Sequence, residues 1–197
     1  MLRMTKPEMD YSAFQTFVDE FKGESDRAAV ILGAAKLDSL LAQILDHVLL
    51  PSLSSTDELL EGDSPLATFS SRINVCYRIG IITPEFAKSL HLVRRIRNGF
   101  AHELSGCSLD SGSHSDRVKS LLLPLKSLPF FTHFRSIFFG ESSPSNNFKA
   151  CLSMMAARLE SRLLNSKPFS SENQWTFVMR SWADEKITKA DEPNGAT

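Results

Sequence analysis

The segment between Gly23 and Pro51 constrains this chain more than any other. Read at about 100° per residue, Val30, Ala34, Leu37, Leu41, Ile44 and Val48 make one apolar stripe. Ile31, Ala35, Ala42, Leu45 and Leu49 make a second stripe beside it. Well over half the circumference of one long helix therefore asks for burial, and only neighbours on several sides can supply it. The segment predicts the central helix of a bundle. Ser25 is placed to cap its N-terminus, Asp26 suits the dipole of its first turn, and Pro51 with Ser52 to Thr56 closes it near Leu50. Lys36, Asp38, Gln43, Asp46 and His47 interrupt the apolar run, so no membrane-spanning segment is expected.

The rest of the chain supplies the neighbours. Phe14, Phe17, Val18 and Phe21 fall at helical spacing in residues 10–22, and Gly23 ends that helix. Asp57 to Glu61 is long enough for a turn or two, and Ser64-Pro65 is expected to open the next helix, which carries Phe69, Ile73 and Cys76 on one face with Arg72 beside it. Thr83-Pro84-Glu85 begins another helix, and Ser105 to Ser115 reads as the loop that follows it. Val118, Leu121, Leu122, Leu125 and Leu128 predict a helix that Pro124 divides and Pro129 stops. The stretch Phe130 to Phe139, with five Phe in ten residues, has no secondary structure legible from its pattern. A helix from about Asn146 to Leu164, capped at Ser145, buries Phe148, Cys151, Leu152, Met155, Leu159 and Leu163. A last helix carries Trp175, Val178, Met179 and Trp182. No period-2 strand pattern and no repeat is present. The expectation is an all-α, single-domain bundle of about seven helices over residues 10–187, with a flexible N-terminus at 1–9 and a disordered tail at 188–197.

Function has to be sought in Leu90 to Leu104. Phe86, Leu90, Val93, Ile96 and Phe100 gather on its buried side, while Arg94, Asn98 and His102 recur every four residues as a polar ridge. Arg97 falls inside the edge of the apolar stripe. A guanidinium cannot shed its charge, so burial there would commit Arg97 to a carboxylate or to an anionic ligand. Asp26 and Asp38, with Arg27 at the edge of the central helix's stripes, are the natural members of such a buried network, and Arg72 is a second half-buried cation. Arg94 and Arg95 read as a solvated or partner-facing ridge. With a net charge of −1 the chain carries no global positive field for a nucleic-acid backbone, and it contains no zinc finger, basic zipper, convincing recognition helix or Gly-rich phosphate loop. Three widely spaced cysteines, Cys76, Cys107 and Cys151, look like reduced thiols of a cytosolic protein rather than a disulfide or zinc framework.

Arg97-Asn98-x3-His102 also satisfies the short pattern of HEPN-type helical ribonucleases. There an imidazole would shuttle the proton of a 2′-hydroxyl and an Arg would hold the phosphoryl oxygens, without a metal. An Arg five residues before a His arises by chance roughly 0.3 times in a chain with this Arg and His content, so the pattern needs context. The competing reading has Arg97 and Asn98 bracing neighbouring helices and His102 favouring the helix C-terminus.

Context comes from an ordered series of segments: Glu24-Ser25-Asp26-Arg27-Ala28-Ala29-Val30-Ile31, Leu37-Asp38, Asp57-Glu58-Leu59-Leu60, Ser64-Pro65-Leu66-Ala67-Thr68-Phe69-Ser70-Ser71-Arg72, Tyr77-Arg78-Ile79-Gly80 and Arg94 to His102. Together they resemble the bacterial mannitol operon repressor (MltR) family over about residues 10–125, fading through 126–187. The resemblance implies a cytoplasmic, all-helical transcriptional regulator without a DNA-binding module, one that represses through a protein partner or as a homodimer. It brings no cofactor and no metal. Direct DNA reading is not expected, and RNA enters only under the alternative of a HEPN-like metal-independent ribonuclease using Arg97, Asn98 and His102. Asp26, Arg27, Asp38, Arg72, Arg97, Asn98 and His102 are then expected to form one buried polar network across three helices.

Overall fold

The structure, a computed structural model, describes residues 11–103 and 106–171. The expected helix around Trp175 and Trp182, the N-terminal residues 1–9 and the tail at 188–197 lie outside the described residues. Within them the fold is all-α, with seven helices: α1 (Tyr11–Lys22), α2 (Asp26–Val48), α3 (Phe69–Arg78), α4 (Pro84–His102), α5 (Gly112–Leu122), α6 (Pro129–Phe139) and α7 (Pro144–Asn165).

α2 is the centre. It packs most extensively on α7 and then on α4 and α3, while α1 and α6 lie against α7 and α5 joins α4 to α7. Gly33 shows why α2 and α7 come so close. A Cβ at that position would run into the Leu152 side chain of α7 and stand 3.1 Å from the ring of Phe21 on α1. The glycine weakens α2 by roughly 1 kcal/mol relative to alanine and lets three helices meet there. By length and hydropathy α2 could cross a bilayer, its charged residues notwithstanding, with a mean hydropathy of 1.6. What its apolar surface covers here is the bundle core: Val30, Leu37, Leu41, Ile44 and Leu45 are fully buried.

Only one of the two expected stripes of α2 is closed along its whole length. Val30, Ala34, Leu37, Leu41, Ile44 and Val48 are all buried, whereas Ile31 and Ala35 of the second stripe are exposed and Ala42 is half-buried. Gly33 and Leu40 take the burial instead, because α7 settles on their side. Ile31 and Ala35 thus leave an uncovered strip along the N-terminal half of α2.

The caps explain most of the boundaries. Ser25 Oγ accepts from Ala28 N (3.3 Å) and Thr83 Oγ1 from Phe86 N (3.3 Å), as expected. Helix α3 opens later than expected: Pro65 lies in a turn, and Thr68 caps the helix by accepting from Ser71 N at 3.1 Å. A threonine hydroxyl satisfies an orphan amide that a proline cannot. Ser143 rather than Ser145 caps α7, accepting from Asn146 N at 3.1 Å, with Pro144 at the first helical position. The expected loop after α4 ends early, since α5 already begins at Gly112. The Phe-rich stretch is α6, opened by Pro129 and docked by Phe131, Phe134 and Phe139.

Candidate functional site

The polar residues singled out in the sequence do not form one network. They divide into two groups at opposite ends of the contact between α2 and α4. In the middle of α2, Asp38 Oδ1 accepts from Arg72 Nη1 of α3 at 2.8 Å, and the two side chains are 25% and 15% exposed. This ion pair bridges two packed helices and is shielded well beyond an ordinary surface pair.

Beside it opens a groove between α2, the start of α3 and α4. One lobe, about 460 Å³, is lined by Asp38, Thr68, Phe69 and Ser70 and by Arg94, Arg97 and Asn98. A second lobe, about 390 Å³, shares Asp38, Phe69 and Arg97 and is floored by Ala34, Ala35 and Ala42 of α2. Arg97 is exposed, which corrects the expectation of a buried strut held by Asp26 or Asp38. Its recorded bond runs from Nη1 to Asn98 Oδ1 at 3.1 Å. Ile96 and Phe100 fill the core at that level, so the Arg97 stem lies along the edge of the stripe while its charged head stays in the groove. Arg94 is half-buried, and its Nε is enclosed without an acceptor. Arg95 is exposed and lines neither lobe. His91, which bonds Asn74 at 3.1 Å, has its pKa lowered by partial burial and by the neighbouring charges of Arg94 and Arg95.

The second group ties the start of α2 to the end of α4. Arg27 donates to the carbonyls of Phe100 and Glu103, both at 2.6 Å, where α4 ends with unsatisfied acceptors and partial negative charge. Asp26 accepts from Leu109 N at 3.0 Å and so fixes the loop beyond α4. Neither residue turns to Arg97. Glu103 completes the arrangement: Oε1 pairs with His114 Nε2 of α5 at 3.0 Å, and Oε2 accepts from Cys107 Sγ at 3.0 Å. Those two bonds, that from Cys107 first, hold Glu103 below the usual carboxylate range. Conversely, the carboxylate raises the Cys107 thiol above its ordinary value, which keeps it protonated and poor as a nucleophile.

The donor atoms of Glu103, Cys107 and His114 lie within 4.8 Å of one another, near enough to share a cation. Their hydrogen bonding accounts for them as a latch. An ionised carboxylate only accepts, so the proton between Glu103 and His114 belongs to Nε2. A metal at Nε2 would move that proton to Nδ1, which is buried with no acceptor, and metal-bound histidines normally donate from their second nitrogen. The Arg27 guanidinium, 3.5 Å from Cys107 Sγ, adds positive charge at the same place.

His102 is exposed at the last residue of α4 and lines neither lobe of the groove. It is five positions along α4 from Arg97, a rotation of about 140°, so the two side chains of one copy leave α4 on different faces. Sequence reasoning missed Glu103 and His114. Cys107 appeared only as a thiol, since nothing in the spacing of these three residues reveals that α5 folds back on α4. Gly99 is the one signal: a Cβ there would strike the His114 ring, so a helical glycine marks the approach. The other two cysteines, Cys76 and Cys151, are buried thiols pushed up to about 12 by burial.

No family model matches the sequence, and no curated protein matches it. Among solved structures, a chain of the X-ray structure of the MtlR-HPr complex from Escherichia coli superimposes with a TM-score of 0.56 at 17% identity, over 75% of this chain and 99% of that one. The likeness is one of fold: this chain folds as MtlR does.

Proposed function

We propose that this protein is a regulator of the mannitol operon repressor type, which acts by binding a protein partner and does not read DNA bases itself. The supporting observation is the extent of the fold likeness. Nearly the whole of the matched chain, solved in a complex with HPr, has a counterpart here. All seven helices among the described residues contribute buried side chains or partly buried ones to a single core. The net charge of −1 gives no long-range attraction to DNA.

The test is calorimetric titration of the purified chain with the HPr of its own host, alongside a mobility-shift assay with the promoter DNA of the operon next to its gene. Saturable binding of HPr with no DNA shift at physiological salt is the expected result. Sequence-specific DNA binding by the isolated chain, or no heat with HPr, would overturn the proposal. The ribonuclease alternative draws on the accessibility of Arg97 and requires the imidazole of His102 from a second copy. Cleavage of mixed-sequence RNA in chelator, abolished by His102→Ala, would put that reading first.

A further inference from the structure

We infer that the groove between α2, the start of α3 and α4 is a binding site for a small organic phosphomonoester, with the phosphate held by Arg94, Arg97, Asn98 and the first turn of α3.

Unbalanced charge is the first support. Of the three guanidiniums that line the groove, only Arg72 has a carboxylate, Asp38 at 2.8 Å. Among the described residues Arg94 and Arg97 form no ion pair. Arg94 lines the lobe half-buried, and its enclosed Nε has no acceptor, so nothing on the protein side balances its charge.

Oriented donors are the second support. Arg72 N makes the first intrahelical bond of α3, to Thr68 O at 3.1 Å, and the Thr68 hydroxyl caps Ser71 N. Among the described residues the amides of Phe69 and Ser70 have no acceptor; they stand at the positive end of the helix dipole, on residues that line the 460 Å³ lobe. Two forked guanidiniums, two amides and the Asn98 side chain offer more donors than a carboxylate can use. A tetrahedral dianion with three terminal oxygens uses them.

Shape then separates an organic ester from a bare ion. The lobe lies within the size range of small-molecule sites, and it continues past Arg97 into the 390 Å³ lobe over Ala34, Ala35 and Ala42. Asp38 stands where the lobes join. Its carboxylate keeps the anionic group at the Arg94 end and accepts from hydroxyls on the body of the ligand. Two unpaired cations in a concavity are also too few for a nucleic-acid backbone, which needs a row of phosphate contacts. The assignment goes beyond the partner reading and stands whether or not HPr binds.

The test is calorimetric titration of the full chain with glycerol 3-phosphate, inorganic phosphate, glycerol and a 20-nucleotide mixed RNA. Glycerol 3-phosphate is expected to bind at one site and glycerol not at all. Arg97→Gln, at an exposed position, is expected to weaken binding by about 10- to 100-fold, the effect of one charge-assisted contact. Arg94→Gln should act likewise, and Arg95→Gln, outside the groove, should change nothing. Equal affinity for inorganic phosphate would overturn the ester assignment. Absence of phosphate binding, insensitivity to Arg97→Gln, or RNA binding that glycerol 3-phosphate does not displace would overturn the site.

Discussion

Replacing Gly99 by alanine tests the latch between α4 and α5 directly. Gly99 lies in the last turns of α4, where alanine is ordinarily the better helix former by at most about 1 kcal/mol. Here the new methyl would drive into the His114 ring, with Nε2 at 3.2 Å and Nδ1 at 3.3 Å from the Cβ position. The ring has little room to yield: it is 5% exposed, packs 4.7 Å from Phe100 and is bonded to Glu103. Overpacking of this kind costs about 1–3 kcal/mol, and displacing the ring also loosens its bond to the half-exposed Glu103 carboxylate. The helix-propensity gain offsets only part of this, so Gly99→Ala should lose about 1–2 kcal/mol, a fall in Tm on the order of 2–8 °C for a chain of this size. The sign should reverse in a His114→Ala background. With the obstacle removed, only the propensity gain remains, and Gly99→Ala becomes neutral or stabilising by up to about 1 kcal/mol. Denaturant melts of the four proteins complete the cycle. The reasoning is refuted if Gly99→Ala is harmless in the parent chain, or if it is as damaging without His114 as with it.

Three further outcomes are expected. Arg27→Met should lower stability by about 1–3 kcal/mol in urea melts, because the part-buried Phe100 carbonyl at the end of α4 loses a charged donor, while water can replace it at the exposed Glu103 carbonyl. Asp38→Asn and Arg72→Met should each destabilise by about 1–3 kcal/mol, while the double variant loses less than the sum of the two; additive losses would mean that the pair does not couple α2 to α3. The pH dependence of the latch follows from Glu103, whose pKa is lower folded than unfolded. Its stabilisation is therefore complete above the unfolded carboxylate pKa and disappears as pH falls through the folded one. Cys107→Ala, which removes the larger cause of the shift, should flatten that part of the acid limb in pH-dependent melts.

Helix existence was legible because it depends on local periodicity and caps. The stripes of α2, the Thr83-Pro84-Glu85 start of α4 and the buried face of α7 all follow from residues within a few turns of one another. Boundaries slipped where two local signals competed, as at Pro65 against Thr68 and at Ser145 against Ser143. The candidate site was legible only as a set of residues. Arg94, Arg97, Asn98, Asp38 and Arg72 do surround one groove, yet periodicity assigned Arg97 an internal partner that it does not have.

The sequence alone determined that this chain is a bundle built around the helix from Asp26 to Val48, since hydrophobic spacing and capping act over short stretches of chain. Tertiary structure alone decided which side of that helix stays uncovered, that Asp26 and Arg27 serve the end of α4, and that Glu103, Cys107 and His114 meet. Those outcomes depend on how helices far apart in sequence settle against one another. A long cationic side chain at the edge of an apolar stripe can turn inward or outward, and only the packing of its neighbours selects between the two.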